Sequence, residues 1–197
     1  MKRREFITLL GGAAAMWPLA GRAQQPRHPT IGFLGAYTPS VQSQWTAAFV
    51  QQLRELGWRE GHTVAIEYRW AEGRTERAAE IAAELVRLKV DIIVLSGNAF
   101  AFAAKRATAT IPIVFALAGD PLGTGLVGNL ARPGGNITGL SLQTNDLSGK
   151  RIELLREIVP NLRRLAILGN AGNPSAKIAI EETQAAARAL NLDIITL

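Results

Sequence analysis

The chain has 197 residues, 48% hydrophobic and 19% charged, an ordinary globular composition with room for one sizeable domain or one and a fraction. Cysteine is absent and the two histidines, His28 and His62, match no ligand spacing, so disulfides and thiolate metal sites are excluded and no metal site or cofactor is expected. The net charge of +6 is partly local, since Lys2, Arg3, Arg4 and Arg22 against Glu5 give +3 within residues 1–23; the later basic residues are scattered without aromatic interleaving, which points away from nucleic acid.

Met1 to Gln25 reads as an export signal. Lys2-Arg3-Arg4 is its charged start, and Phe6 to Ala20 is apolar and too short to span a bilayer comfortably. Gly21-Arg22-Ala23 places small residues at the −3 and −1 positions, so cleavage is expected after Ala23 and the mature chain in the periplasm. Arg3-Arg4-Glu5-Phe6-Ile7 resembles the twin-arginine export signal, although Lys2 precedes the pair and no basic residue follows the apolar run directly. Gln24 to Pro29, with two prolines, is expected to be a short disordered lead-in.

Thr30 to Leu34 is an apolar strand that empties into the polar loop Gly35 to Ser40. The spacing predicts a helix over 41–56, with Val41, Trp45, Phe49, Leu53 and Leu56 on one face. Val64, Ile66, Tyr68 and Trp70 alternate with polar residues, as in a strand near a sheet edge. A helix over 75–88 would bury Ala78, Ile81, Leu85 and Leu88. Val90 to Leu95 is a third strand, ending at Ser96-Gly97-Asn98, and an alanine-rich helix starts near Ala99. Ile111 to Leu117 is a fourth strand running into Gly119-Asp120-Pro121. Pro121 presets a short helix over 122–130, which the breakers from Arg132 to Asn136 would end. Ile137 to Leu142 is a fifth strand, followed by a polar crossover and a helix over 147–159. A new unit then begins: a strand over 165–168, a loop from Gly169 to Ser175, a helix over 176–190 and a strand opening at Asp193.

This rhythm defines an α/β chain with a doubly wound parallel sheet, followed by the beginning of a second α/β lobe. The expected segments are the leader (1–23), the lead-in (24–29), lobe one (30–142), a crossover and helix (143–160) and a partial lobe two (161–197). In open α/β sheets ligands sit beyond the carboxyl ends of the strands. The loops starting at Gly35, Ser96 and Gly119 lie at that edge and offer small residues, hydroxyls and helix N-terminal N–H groups to an anionic ligand group. Asp120 and Ser141 fall at or near two strand ends; Asp120 reads equally as a turn residue and helix cap, and Tyr37 as a ligand-stacking ring or a lone surface aromatic.

An ordered set of motifs then carries a resemblance. It comprises the twin-arginine leader, Ile31 to Leu34, Val64 to Gly73, Pro112 to Phe115, Gly119-Asp120-Pro121, Gly125-Leu126-Val127, Arg132 to Gly139, Lys150 to Leu155 and Asn173-Pro174. Together these resemble the ABC transporter substrate-binding proteins of the tryptophan/tyrosine-binding type. The resemblance implies two α/β lobes, a small amino-acid-like ligand held in the cleft between them, hinge closure around it, and delivery to a membrane permease. It implies no enzyme activity. Carried onto this sequence, the ligand-facing positions would be Ala36, Tyr37, Ser96, Gly97, Asn98, Gly119, Asp120 and Ser141 in lobe one, with Asn170, Asn173 and Ser175 from lobe two. Asp120 would pair with an amine; Asn170 to Pro174 also fit an ordinary turn and helix cap.

Members of that family usually exceed 300 residues, so this chain is expected to hold lobe one and only the start of lobe two. Rival readings are an exported ligand-sensing module on the same fold, and a truncated binding protein without function. A small α/β enzyme would need a nucleophile with its base, and the sequence has no cysteine, no histidine after position 62 and no G-x-S-x-G elbow.

Overall fold

The computed structural model describes residues 27–142, 147–170 and 173–197, so the leader and its cleavage site lie outside the described residues. Strand β1 (Thr30–Gly35) leads through a turn to helix α1 (Ser43–Glu55) and strand β2 (Ala65–Trp70). A short 3-10 turn (Thr75–Arg77) opens α2 (Ala78–Arg87), followed by β3 (Ile92–Leu95), α3 (Asn98–Ala107) and β4 (Ile113–Gly119). Strand β5 (Ile137–Leu142) completes a parallel sheet of order β2-β1-β3-β4-β5, with β2 at an edge as its alternation predicts. Helix α4 (Ser148–Ile158) precedes a two-stranded parallel sheet of β6 (Arg164–Ile167) and β7 (Asp193–Thr196), joined by α5 (Pro174–Ala189). Among the described residues no helix is long and apolar enough to cross a membrane.

One face of the large sheet is fully packed. Leu34, Ile93, Leu95, Ile113, Phe115 and Ile137 share a core with Ile81 and Leu85 of α2 and Phe100, Ala101 and Ala104 of α3. The second sheet has a small core of its own, built on Ile152, Ala187 and Leu192. Arg27 and Pro29, within the expected lead-in, are tied to the rim: Arg27 donates to the Lys89 carbonyl at 2.8 Å, and the Pro29 carbonyl accepts from Ala65 N at 2.9 Å.

Three expectations are corrected. The helix expected over 122–130 does not form; residues 121–126 run through turns. Gly123, Gly125 and Gly128 weaken any helix there, and the Asp120 carboxylate accepts from Gly123 N at 2.8 Å, a local bond that competes with helical pairing. The apolar residues are satisfied differently: Leu126 and Val127 are buried, and Lys105 Nζ donates to the Leu126 carbonyl at 2.7 Å. Helix α1 forms, but its expected face is not buried, for Val41, Trp45 and Leu56 are exposed and no residue of α1 is fully buried. It is held instead by ring contacts, with Phe49 5.7 Å from Phe33 and Phe33 in turn 5.6 Å from Tyr68 and 5.5 Å from Trp70, centroid to centroid. Leu88 lies past the end of α2 and is exposed rather than buried.

The β4–β5 pairing carries an irregularity. Phe115 pairs with Gly139 and Ala118 with Ser141, so Ala116 and Leu117 stand against Leu140 alone, a β-bulge. A β-carbon at residue 139 would overlap the Phe115 carbonyl and ring. Gly139→Ala is therefore expected to cost about 1–3 kcal/mol. Gly128→Ala, where a β-carbon meets open space, is expected to stay within about 0.5 kcal/mol of the parent. Urea unfolding midpoints of the two variants check this.

On the edge strand, burial pushes the Tyr68 phenol up to about 12, helped by Glu60, whose carboxylate accepts from the hydroxyl at 3.4 Å. A phenol with a raised folded-state pKa stabilises the fold fully below its unfolded value of about 10, and loses that contribution as pH rises toward 12. In a Tyr37→Phe variant, where Tyr68 is the sole tyrosine, phenolate absorbance is expected to rise near pH 12 in the folded protein and near 10 in urea.

Candidate functional site

The carboxyl ends of β1 and β3 and the loops that follow them converge on one cavity of about 210 Å³. Its walls are Ala36 and Tyr37 after β1, Thr75 after β2, Ser96 to Phe100 at the β3–α3 junction, and Asn170 and Asn173 from the loop between β6 and α5. Residues of both sheets' loops thus meet in one place. Seven of the eleven expected site residues line it: Ala36, Tyr37, Ser96, Gly97, Asn98, Asn170 and Asn173.

The junction at Gly97 is built for a sharp entry into α3. Gly97 adopts φ +93°, a left-handed conformation that favours glycine, and its N–H donates to the Leu117 carbonyl at 2.8 Å. No side chain caps α3, so its first-turn N–H groups remain at the cavity wall formed by Ala99 and Phe100. Such a helix start favours a carboxylate or other anionic group without any cationic side chain.

Asn98 fixes the neighbouring strand end. Its side chain is buried and grips Gly119 twice: Nδ2 donates to the Gly119 carbonyl at 2.6 Å, and Oδ1 accepts from Gly119 N at 2.8 Å. Asn173 caps α5, its Oδ1 accepting from Ser175 N at 3.1 Å and from Ser175 Oγ at 2.9 Å. A β-carbon at Gly119 would stand 3.0 Å from Ser175 Oγ, so the two sheets' loops approach closely at this point. Gly119 and Ser175 therefore border the cavity through Asn98 and Asn173.

Asp120 and Ser141 are placed elsewhere. Asp120 sits at φ +39°; its carboxylate accepts from Gly123 N and its carbonyl from Thr124 N at 3.0 Å and Thr124 Oγ1 at 2.8 Å, so it organises the turn after β4. Ser141 pairs with Ala118 on β5 and is not among the cavity walls. Thr75, Ala99 and Phe100 line the cavity without having been singled out in the sequence. Thr75 follows β2 and precedes α2, so the rule that selected the other loops covers it too. A larger concavity, of about 860 Å³, lies at the opposite end of α1 beside Arg54, Trp58, Arg59 and His62, on the turn that enters β2 at its amino end. Among the described residues, the side chains with displaced protonation are also remote: Tyr68 and Arg69 both belong to β2, where the bond to Glu84 at 2.7 Å raises the Arg69 pKa above its ordinary value.

A parallel α/β sheet whose strand-end loops meet those of a second sheet across a small polar cavity has the architecture of the periplasmic binding proteins. A family model described as ABC transporter substrate binding protein matches residues 39–197, and the chain belongs to that family. It is similar to a tyrosine-binding protein of Clostridioides difficile, 29% identical over 148 residues that cover 75% of this chain and 42% of the relative. Among solved structures it resembles a conserved domain protein from Vibrio cholerae, with 27% identity and a TM-score of 0.78, covering 87% of this chain and 57% of the other. It also resembles an ABC domain from Streptococcus pneumonia in complex with L-Trp, with 28% identity and a TM-score of 0.75, covering 86% and 57%. The chain thus spans about half the length of these relatives.

The Asn98–Gly119 pair makes a direct test of how the cavity is held. Asn98→Ala leaves the N–H and C=O of Gly119 without their partner and is expected to cost about 1–3 kcal/mol. It should also speed hydrogen exchange at the Gly119 amide. Asn98→Asp keeps the acceptor but buries a charge and sets an oxygen against the Gly119 carbonyl, so it is expected to be at least as destabilised as Asn98→Ala in urea unfolding.

Proposed function

We propose that this chain is the extracytoplasmic solute-binding component of an ABC importer and holds a small amino-acid-like ligand in the cavity between the two sheets. The observation that carries this reading is the convergence of Ser96, Gly97 and Asn98 from one sheet with Asn170 and Asn173 from the other. The uncapped start of α3 would receive the ligand's carboxylate, while Ser96 and the two lobe-two asparagines offer hydrogen bonds to the remaining polar atoms. Gly119, Ser175 and, through its turn, Asp120 would support that constellation, with Tyr37 stacking at the mouth. Movement of the loops bearing Asn170 and Asn173 against α3 would open and close the site, and the closed form would dock on a membrane permease. Export by the leader, with cleavage after Ala23, would deliver the chain to the periplasm.

The family match and the tyrosine- and tryptophan-linked relatives support an amino-acid ligand. Thermal-shift and calorimetric titrations with the proteinogenic amino acids test the reading. At least one amino acid is expected to raise Tm by several degrees, and Ser96→Ala to weaken its binding by about tenfold, the scale of a lost hydrogen bond to a charged group. If no amino acid binds the parent chain, or if Ser96→Ala binds as the parent does, the cavity is not the ligand site.

A further inference from the structure

At the end of α1 away from the polar cavity, the turn that leads to β2 walls a concavity of about 860 Å³. Val50 and Arg54 of α1 form one side, and Trp58, Arg59 and His62 of the turn form the other. The turn is braced from within. Gly57 and Gly61 take left-handed φ values of +91° and +76°. The Thr63 hydroxyl accepts from Arg59 N at 2.7 Å and donates to the Gly57 carbonyl at 3.2 Å. The Arg59 carbonyl accepts from His62 N at 3.0 Å and Thr63 N at 2.8 Å. The side chains of this turn are therefore presented from a fixed frame.

Their charges are not neutralised by the neighbouring acids. Arg69 pairs with Glu84 at 2.7 Å, and Arg74 and Arg77 pair with Glu72 at 2.8 and 3.2 Å. Glu55 and Glu60 adjoin Arg54 and Arg59 in the chain, yet their carboxylates accept from neutral donors, Gln51 Nε2 at 3.0 Å and the Tyr68 hydroxyl at 3.4 Å. The side chains of Arg54, Arg59 and His62 make no hydrogen bond or ion pair to another described residue. Trp58, between the two arginines in the chain, is 45% exposed. An uncovered indole beside arginines has the composition of a recognition site.

The donors decide the class of ligand. A carboxylate engages one guanidinium fork with its two oxygens, whereas a phosphate, with three terminal oxygens and a charge of about −1.5 to −2, can engage both. The indole offers its face to a flat ring. We propose that this concavity is a second binding site, separate from the cavity between the sheets, for an aryl phosphate ester. Arg54 and Arg59 hold the phosphate, His62 adds a donor, and Trp58 stacks on the ring. The site does not depend on the amino-acid reading.

NMR of the full chain titrated with phenyl phosphate tests this through the tryptophan indole N–H signals, that of Trp58 being assigned by its loss in Trp58→Phe. The Trp58 signal is expected to shift saturably while those of Trp45 and Trp70 stay in place. Arg54→Gln and Arg59→Gln should each weaken binding by about tenfold, the scale of a lost charge-assisted hydrogen bond. Both arginines are exposed, so the unfolding midpoint should not move. Inorganic phosphate should bind about fivefold more weakly than phenyl phosphate, for want of the ring contact. Vesicles of phosphatidylglycerol are expected not to retain the chain. A Trp58 signal that does not shift, or one that shifts alike in both arginine variants, overturns the site. A shift at Trp45 in its place puts the phosphate elsewhere and overturns it too. Equal affinity for inorganic and phenyl phosphate overturns the role of Trp58. Retention on the vesicles that Arg54→Gln abolishes assigns the phosphate to a lipid headgroup and overturns the soluble ester.

Discussion

The paired hydrogen bonds between the Asn98 side chain and the Gly119 backbone hold the carboxyl edge of the sheet in shape. Strand β4 runs past its bulge and would otherwise end in a free N–H and C=O at Gly119. Asn98 accepts one and donates to the other, and it sits at the first position of α3. The start of that helix and the end of the neighbouring strand therefore move as one body. Everything grouped around the cavity leans on this: Ser96 and Gly97 just before it, Thr124 within 3.4 Å of its Nδ2, and Ser175 against Gly119. A carboxamide suits the task because it is donor and acceptor at once and carries no charge that burial would penalise.

The two faces of the sheet are built on different principles. Behind α2 and α3, aliphatic side chains interdigitate and leave almost no exposed surface. On the α1 side, rings meet at a tilt or in parallel, as where Tyr68 and Trp70 stack at 6.1 Å. Rings spaced in this way hold a helix off a sheet without filling the space beneath it. Parallel sheets ordinarily have both faces covered. Here Leu140, 69% exposed on β5, marks how little of the second face the described residues cover. The relatives are longer than this chain, which spans 57% of the two solved structures most like it in sequence described above.

Much of this architecture was legible in the sequence. Short apolar runs bounded by Gly, Pro and Asn gave the five strands of the large sheet, because a buried parallel strand has few other ways to be written. The strand-end rule then located Ala36, Tyr37 and Ser96 to Asn98, and the family resemblance added Asn170 and Asn173. The helix expected over 122–130 rests on Pro121 as a start and the breakers after Ala131 as a stop, signals that bound a segment without fixing what it forms. Its glycines and the Asp120 carboxylate decide the matter locally, and Leu126 finds burial from a loop. The face of α1 was misread for a different reason. Amphipathic spacing shows which side of a helix is apolar, but not how closely it approaches a sheet. That distance depends on Phe33, Tyr68 and Trp70, residues far apart in the chain, and on a bulge that no local pattern announces.

The contact of Gly139 with the Phe115 carbonyl has a consequence for assembly of the sheet. Any other residue of β5 slid into that place would bring a side chain against a backbone oxygen that cannot retreat. The missing side chain works as a key cut for one ward: β5 can seat on β4 with Gly139 at Phe115 and in no adjacent position. A slip by one residue would also turn Ile137 out of the core and Thr138 into it. Residue 139 thus fixes the register of β5 on β4, together with the alternation that keeps Ile137 in the core.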